Sequence, residues 1–283
     1  MPDDPFVAHR ALLFTVAYEI LGSAADAEDV LQETWLRWAD VDQSQVSEPR
    51  AYLIRIVTRQ ALNRLRTLSR RREDYVGEWL PEPLLTSPDV AEDVELAESV
   101  SIAMLTVLET LGPTERAVFV LREVFQLPFG EIAEALGKSA SAVRQIARRA
   151  RDRVAAQRPR VPVSRSERQI VVEAFMGALR TGQLHDLMEV LAPDVVMIAD
   201  GGGIAPAATA PVYGAEAVAR LLARPGRAVS TVWLNGAAAA QVESDGQLAV
   251  VSLLVENGQI SRIYAMANPR KLTRLRTPAE LAR

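Results

Sequence analysis

The sequence predicts a multidomain protein: two all-α domains, a helical bundle and a helix-turn-helix, then an α+β domain with a curved, mainly antiparallel sheet. Three observations predict it. Apolar residues recur at helical spacing from residue 6 to about 156, with short breaks. Past Pro193 the pattern changes to strand-type runs punctuated by glycine. Two proline-bearing stretches, 73–91 and 158–166, separate domains expected at 1–72, 92–157 and 167–283. At 283 residues there is chain enough for each to bury a core.

The composition, 49% hydrophobic and 24% charged, suits soluble globular domains. No apolar run reaches the length of a membrane span. The opening MPDDPFVAHR is acidic where a signal peptide would be basic, so a cytoplasmic protein with no membrane contact is expected. There is no cysteine, which excludes disulfides and thiol chemistry. His9 and His185 are the only histidines, so neither a metal nor a cofactor is expected.

Charge alternates strongly along the chain although the net value is −4. Residues 1–49 carry ten acids against two arginines, and residues 50–72 carry eight arginines and no acid. Residues 73–100 carry nine acids and no base; residues 138–160 carry eight bases and one acid, Asp152. One basic run is usually a solvated helix face. Two separated blocks, one on a helix-turn-helix, point to a polyanion such as DNA.

In the first domain Leu12, Leu13, Val16, Ala17, Ile20 and Leu21 mark a helix that Gly22 and Ser23 break. Asp26 can start the next, DAEDVLQETWLRW, with Val30, Leu31, Thr34, Trp35 and Trp38 expected inward. Asp26, Asp29, Gln32, Glu33 and Arg37 are left as its polar face. A polar loop, 39–49, closes at Pro49, and a long helix follows with Tyr52, Leu53, Ile56, Val57, Ala61, Leu65 and Leu68 as buried candidates. Arg55, Arg59, Arg64 and Arg66 lie on its other faces. Arginines beside aromatic and amide groups suit phosphate neutralisation and stacking on single-stranded bases.

The stretch 73–90 is acidic and proline-bearing, yet it holds Tyr75, Trp79, Leu80, Leu84 and Leu85. A flexible tether rarely carries so many large apolar groups, so WLPEP (Trp79, Leu80, Pro81, Glu82, Pro83) is expected to dock on a folded surface. One amphipathic helix is expected over 91–111, ended by Gly112 and Pro113, with Thr114 capping the next. In FGEIAEALGKSASAVRQIARRAR, residues 129–151, Ile132, Ala133 and Leu136 line a first short helix, and Val143 and Ile146 a second. Gly137 breaks the run, and Ser139 or Ser141 can cap the second, basic helix. This is the pattern of a helix-turn-helix whose second helix enters the major groove.

Two helices are expected at 167–181 and 184–191, then strands at 195–199, 229–234, 247–256 and 260–267, with a helix at 215–223. Gly246 and Asn257-Gly258 fall where hairpin turns belong. A curved sheet readily encloses a pocket, so room for an unidentified small ligand is an expectation. Asp200, Gly201, Gly202 and Gly203 form a loop expected to be flexible, at the mouth of that pocket.

In their order and spacing, DAEDVLQETWLRW, the arginine-rich helix and the helix-turn-helix resemble regions two and four of the sigma-70 family of bacterial transcription initiation factors. The short form, without regions one and three, is similar to the extracytoplasmic-function group. WLPEP, the α+β domain, DGGG and NPRKL (Asn268, Pro269 to Leu272) resemble a subgroup carrying a SnoaL-like C-terminal extension. That subgroup usually has lysine after the three glycines, where this chain has Ile204, so no role of that lysine carries over.

The resemblance implies core RNA polymerase and promoter DNA as partners. Asp26, Asp29, Gln32, Glu33 and Trp35 would hold the clamp region of the polymerase's largest subunit. Arg55, Arg59, Asn63, Arg64 and Arg66 would read and melt the −10 element. Ser139, Ser141, Arg144, Gln145, Arg148 and Arg149 would read the −35 element, with Arg144 and Gln145 nearest the bases and Arg149, Arg151 and Arg153 towards phosphates. The extension would regulate in cis, by intramolecular contacts through WLPEP, Asp200 to Gly203, Asn268 and Pro269. Two other classes stay open: a stand-alone helix-turn-helix regulator, and a pocket enzyme using Asp200 as general acid/base.

Overall fold

The computed structural model describes residues 4–72, 75–157 and 164–283, without the side chains of 69–72 and 165. Residues 73, 74 and 158–163, from the two expected linkers, lie outside the described residues. Among the described residues no helix is long and apolar enough to cross a membrane.

The first part holds α1 (Pro5–Ala8), α2 (Arg10–Leu21), α3 (Ala24–Ala39) and α4 (Pro49–Arg72). Gly22 ends α2 with φ 69°, a left-handed conformation that glycine adopts without steric cost. Ser23, not Asp26, caps α3: its hydroxyl accepts from the Asp26 N–H at 3.2 Å. Trp38 is fully buried, but Trp35, expected inward, is 45% exposed beside Leu36 at 54%. Helical spacing puts Trp35 at the rim of the apolar stripe, and Thr34 and Trp38 already fill the contact.

The second part holds α5 (Val94–Ser99), α6 (Ile102–Leu108), α7 (Pro113–Phe119), a π-helical turn (Val120–Val124), α8 (Phe129–Leu136) and α9 (Ala140–Gln157). The single helix expected over 91–111 is thus two. Ser101 starts α6 by accepting from the Met104 N–H at 3.2 Å, and the break releases the Val100 carbonyl. Thr114 is not a cap: α7 begins at Pro113, where a missing N–H is harmless, and Gly112 precedes it. The turn Gly137–Ser139 follows the expected pattern, with Gly137 at φ 62° and Ser139 capping α9 through the Ala142 N–H at 3.2 Å.

The third part holds α10 (Arg165–Thr181), α11 (Leu184–Val190), β1 (Leu191–Asp200), β2 (Val212–Tyr213), α12 (Ala215–Leu222), β3 (Ala228–Leu234), β4 (Ala237–Ser244), β5 (Gln247–Glu256) and β6 (Gln259–Met266). The sheet order is β2-β1-β6-β5-β4-β3, with β1 and β6 parallel and every other pair antiparallel. The sequence predicts neither the two-residue β2 nor β4, whose AAAA start has helical propensity, nor the Asn235-Gly236 turn before β4. Both residues of each hairpin turn have positive φ: Asn235/Gly236, Asp245/Gly246 and Asn257/Gly258.

One apolar cluster runs without interruption from Phe6 to Val154, so the first two parts share a core. In the third part, α10–α12 cover one sheet face, where Val172, Phe175, Leu179 and Val218 pack against Val195, Val251 and Ile263. The other face is covered from outside: Leu80 of the linker and Ile102 of α6 pack on Leu234, Ala239, Val250, Tyr264 and Met266.

Candidate nucleic-acid and interdomain interface

The six residues expected at the −35 element, Ser139 capping α9 and Ser141, Arg144, Gln145, Arg148 and Arg149 on it, are all exposed. Val143, Ile146, Ala147, Ala150 and Val154 bury the opposite stripe and fix that presentation. Arg151 and Arg153, expected at phosphates, are instead paired here with Glu123 and Glu115, each at 2.7 Å.

The arginines of α4 are not presented in this way. Arg59 donates from Nε to the Ala135 carbonyl and from Nη2 to the Glu134 carbonyl, both at 2.9 Å. Both lie in the last turn of α8, at the negative end of its dipole, and the Glu134 carbonyl also accepts from the capping Gly137 N–H at 3.4 Å. Arg55 lies 3.7 Å from the Glu134 carboxylate and stacks over Tyr52. Arg64 reaches the other way, to Asp26 at 2.7 Å and Asp29 at 2.9 Å on α3. Two expected polymerase contacts are therefore paired to an expected −10 contact. Gln60 donates to Glu33 at 3.1 Å, Asn63 and Arg66 are exposed one turn apart, and Gln32 and Trp35 are exposed on α3.

A second arginine makes the reciprocal contact. Arg116 of α7 is 1% exposed and donates from Nε to the Glu19 carbonyl, at the C-terminal end of α2, at 2.8 Å. Its Nη1 pairs with Glu109. Each helical part thus supplies an arginine that satisfies a helix terminus of the other.

Glu19 itself is fully buried, with Oε1 accepting from the Ser99 hydroxyl at 2.7 Å. Burial pushes its carboxyl up from 4.5 to about 8, while the Ser99 hydrogen bond and the Arg116 charge oppose that shift. Arg116, itself paired with Glu109, is the charged group that acts on it. A Glu19 freed by separation ionises from about pH 4.5, whereas the docked carboxyl stays neutral to about 8. The docked state therefore keeps its full stability from this group at low pH and loses it as pH rises through that window. Thermal melts of the wild type should fall over this range more than those of Glu19→Gln; parallel curves would contradict the assignment.

The linker is embedded between the helical parts and the extension. Leu80 is 0% exposed, and Pro81, Glu82, Pro83 and Leu84 are buried. Glu82 accepts from the Ser23 hydroxyl at 3.0 Å and the Ala25 N–H at 3.2 Å, at the N-terminus of α3, where the helix dipole favours an acid. Its N–H donates to the Gly22 carbonyl at 2.8 Å. Further on, the Thr86 N–H donates to the Trp233 carbonyl at 2.9 Å, and Leu85 pairs with Leu234, so the linker extends the open edge of β3. The Ala279 N–H donates to the Leu85 carbonyl at 2.8 Å from the other side.

Asp200 is the anchor of this grip. Far from being at a pocket mouth, it is 0% exposed. One carboxylate oxygen accepts from the Tyr75 hydroxyl at 2.6 Å; the other accepts from the Leu80 N–H at 2.9 Å and from Lys271 Nζ at 2.7 Å. Lys271, of the NPRKL stretch, also donates to the Leu80 carbonyl and lies 4.0 Å from the Trp79 ring centroid and 5.1 Å from that of Tyr75. The cation beside the DGGG loop thus comes from Lys271, while Ile204 is 51% exposed. Asn268 donates from its side chain to the Tyr75 oxygen at 2.8 Å, and its backbone N–H reaches the Asp200 carbonyl at 3.0 Å. Gly202, at φ 60°, must lack a side chain: a Cβ there would lie 2.2 Å from Asn268 Nδ2. Pro269 follows in the turn that brings Lys271 inward. Tyr75, Arg116, Asn235 and Lys271 carry no signal in the sequence that marks them as site residues.

Residues 6–71 match the family model of sigma-70 region 2, and residues 101–154 that of sigma-70 region 4. The chain is 38% identical over 288 residues to the ECF RNA polymerase sigma factor SigJ of Mycobacterium tuberculosis, covering 95% of this chain and 92% of that protein. It is 34% identical to the probable ECF RNA polymerase sigma factor SigI of the same organism, covering 95% and 94%. The crystal structure of M. tuberculosis SigJ superposes with a TM-score of 0.76 at 35% identity, over 94% of this chain and 96% of that one.

Proposed function

Since the chain belongs to the extracytoplasmic-function group of sigma-70 RNA polymerase sigma factors, we propose that it directs core polymerase to two-part promoters and is held closed by its own extension until released. In this reading α3 offers Gln32, Glu33 and the exposed Trp35 to the polymerase clamp region, together with Asp26 and Asp29 once Arg64 lets them go. Arg55, Arg59, Asn63, Arg64 and Arg66 of α4 hold and unstack the −10 strand, and α9 reads the −35 element. The extension acts by gripping WLPEP.

The observation that carries the closed state is the pair of bonds from Arg59 to the last carbonyls of α8. A guanidinium bound there cannot also hold a DNA strand, so the −10 contact and the docked helix-turn-helix exclude each other. The full engagement of Asp200 by three donors favours a holding role over acid/base chemistry.

Transcription reconstituted with core polymerase and a library of genomic promoters tests the reading. Promoter-specific transcripts are expected, with little specific binding by the free protein. Tight specific binding without polymerase would favour a stand-alone regulator. Arg144→Ala should cost about 1–3 kcal/mol of discrimination at one −35 position, read as relaxed sequence preference there, if its guanidinium meets a base edge. A uniform loss at all positions would make it a phosphate contact.

A further inference from the structure

We propose that Asn235, at the tip of the β3–β4 hairpin, is a positioning residue that fixes the spacing between the two helical parts. The inference rests on the reading that the extension regulates promoter use, and it names the group that sets the geometry.

Asn235 is 1% exposed and touches every part of the molecule. Its Nδ2 donates to the Tyr18 hydroxyl oxygen on α2 and to the Val100 carbonyl at the α5–α6 break, both at 2.7 Å. Its Oδ1 accepts from the Leu84 N–H of the linker at 2.9 Å, and its own N–H returns to the Leu84 carbonyl at 2.9 Å. Tyr18 passes the connection on, donating to the Glu82 carbonyl at 2.7 Å. Tyr18 and Val100 are both 0% exposed. Burial holds the Tyr18 phenol far above its ordinary value, so it keeps the proton it donates. The neighbouring Gly236 N–H donates to the Thr86 hydroxyl at 3.1 Å, and a Cβ at Gly236 would lie 2.8 Å from the Ala97 Cβ. The hairpin tip is therefore wedged against α5.

The turn alone does not require asparagine. Asn235 has φ 52° and Gly236 has φ 73°, a conformation that aspartate or glycine also adopts. Only a neutral carboxamide supplies two N–H donors and an acceptor at one point. The residue thus matches the three-way junction and not merely the hairpin. Its contacts lie outside WLPEP, DGGG and NPRKL.

Asn235→Asp separates the two roles. It keeps the turn and the acceptor for Leu84, and it removes both donors. Losing buried bonds while their partners stay behind should shift the closed-to-open equilibrium by about tenfold or more. The chain has no cysteine, so single cysteines placed at the exposed Asp40 and Lys138 of the full chain can carry spin labels. The wild type should give one narrow interlabel distance. Asn235→Asp, and Asn235→Gly as a second variant that keeps the turn without a side chain, should add a longer, broad population. An unchanged distance in both folded variants overturns the proposal. Lengthened distances with unchanged transcript yield would uphold the positioning role and overturn the regulatory reading on which it builds.

Discussion

Asp200→Ala should destabilise the closed molecule by about 3–5 kcal/mol, the cost of leaving one member of a buried ion pair without its partner. Lys271 has a side chain 12% exposed and would lose its carboxylate, keeping the Leu80 carbonyl and two aromatic faces. The Leu80 N–H and the Tyr75 hydroxyl would lose their acceptor as well. The loss should concentrate in the linker. Amide hydrogen exchange of residues 79–86 should speed up far more than that of β5 and β6, where strand pairing continues on both sides. Equal acceleration throughout the extension would mean that Asp200 supports the domain fold and not the grip.

Arg116→Ala should have an effect of similar size, about 3–5 kcal/mol, by a different route. The side chain is buried between α2 and α7, so the variant takes the guanidinium away from Glu109 and the donor away from the Glu19 carbonyl. It also opens a cavity beside Gly22, where a Cβ would lie 3.2 Å from the Arg116 guanidinium. The first and second helical parts share one core, so the thermal midpoint should drop and the two parts should melt in separate steps. A single transition at the wild-type temperature would contradict the role given to this residue.

Much of this architecture could be read from the residues. The break at Gly137, the serine cap at 139 and the apolar stripe of α9 are local, and local signals need no tertiary information. Strands β1, β3, β5 and β6 were legible for a related reason: β5 reads QLAVVSLLVE, nearly continuous in apolar residues. A strand buried on only one face alternates, so such a run already signals a sheet covered on both. What covers the second face was not legible, because Leu80 and Ile102 arrive from far along the chain. The same holds for the arginines. Arg59 and Ala135 are 76 residues apart, and Arg116 and Glu19 are 97 apart. A basic residue on a helix has the same local signature whether it meets phosphate or a helix terminus. The alanines of β4 misled for the opposite reason: the local preference is helical, and pairing with β3 and β5 overrides it.

Glu19 and Asp200 also show how a buried carboxylic acid can take different parts. Glu19 is buried with one hydroxyl donor and stays neutral to about pH 8. Asp200 is buried with the Lys271 ammonium and two further donors on its oxygens. The first makes docking of the helical parts pH-dependent; the second ties the extension to the linker.

The most direct test compares transcript yield per polymerase for the full-length wild type and Asp200→Ala, at equal occupancy of core polymerase. If the extension holds a sigma factor closed, the variant should yield several-fold more transcript from the same start sites. Equal or lower yield, with holoenzyme formed to the same extent, would contradict the account.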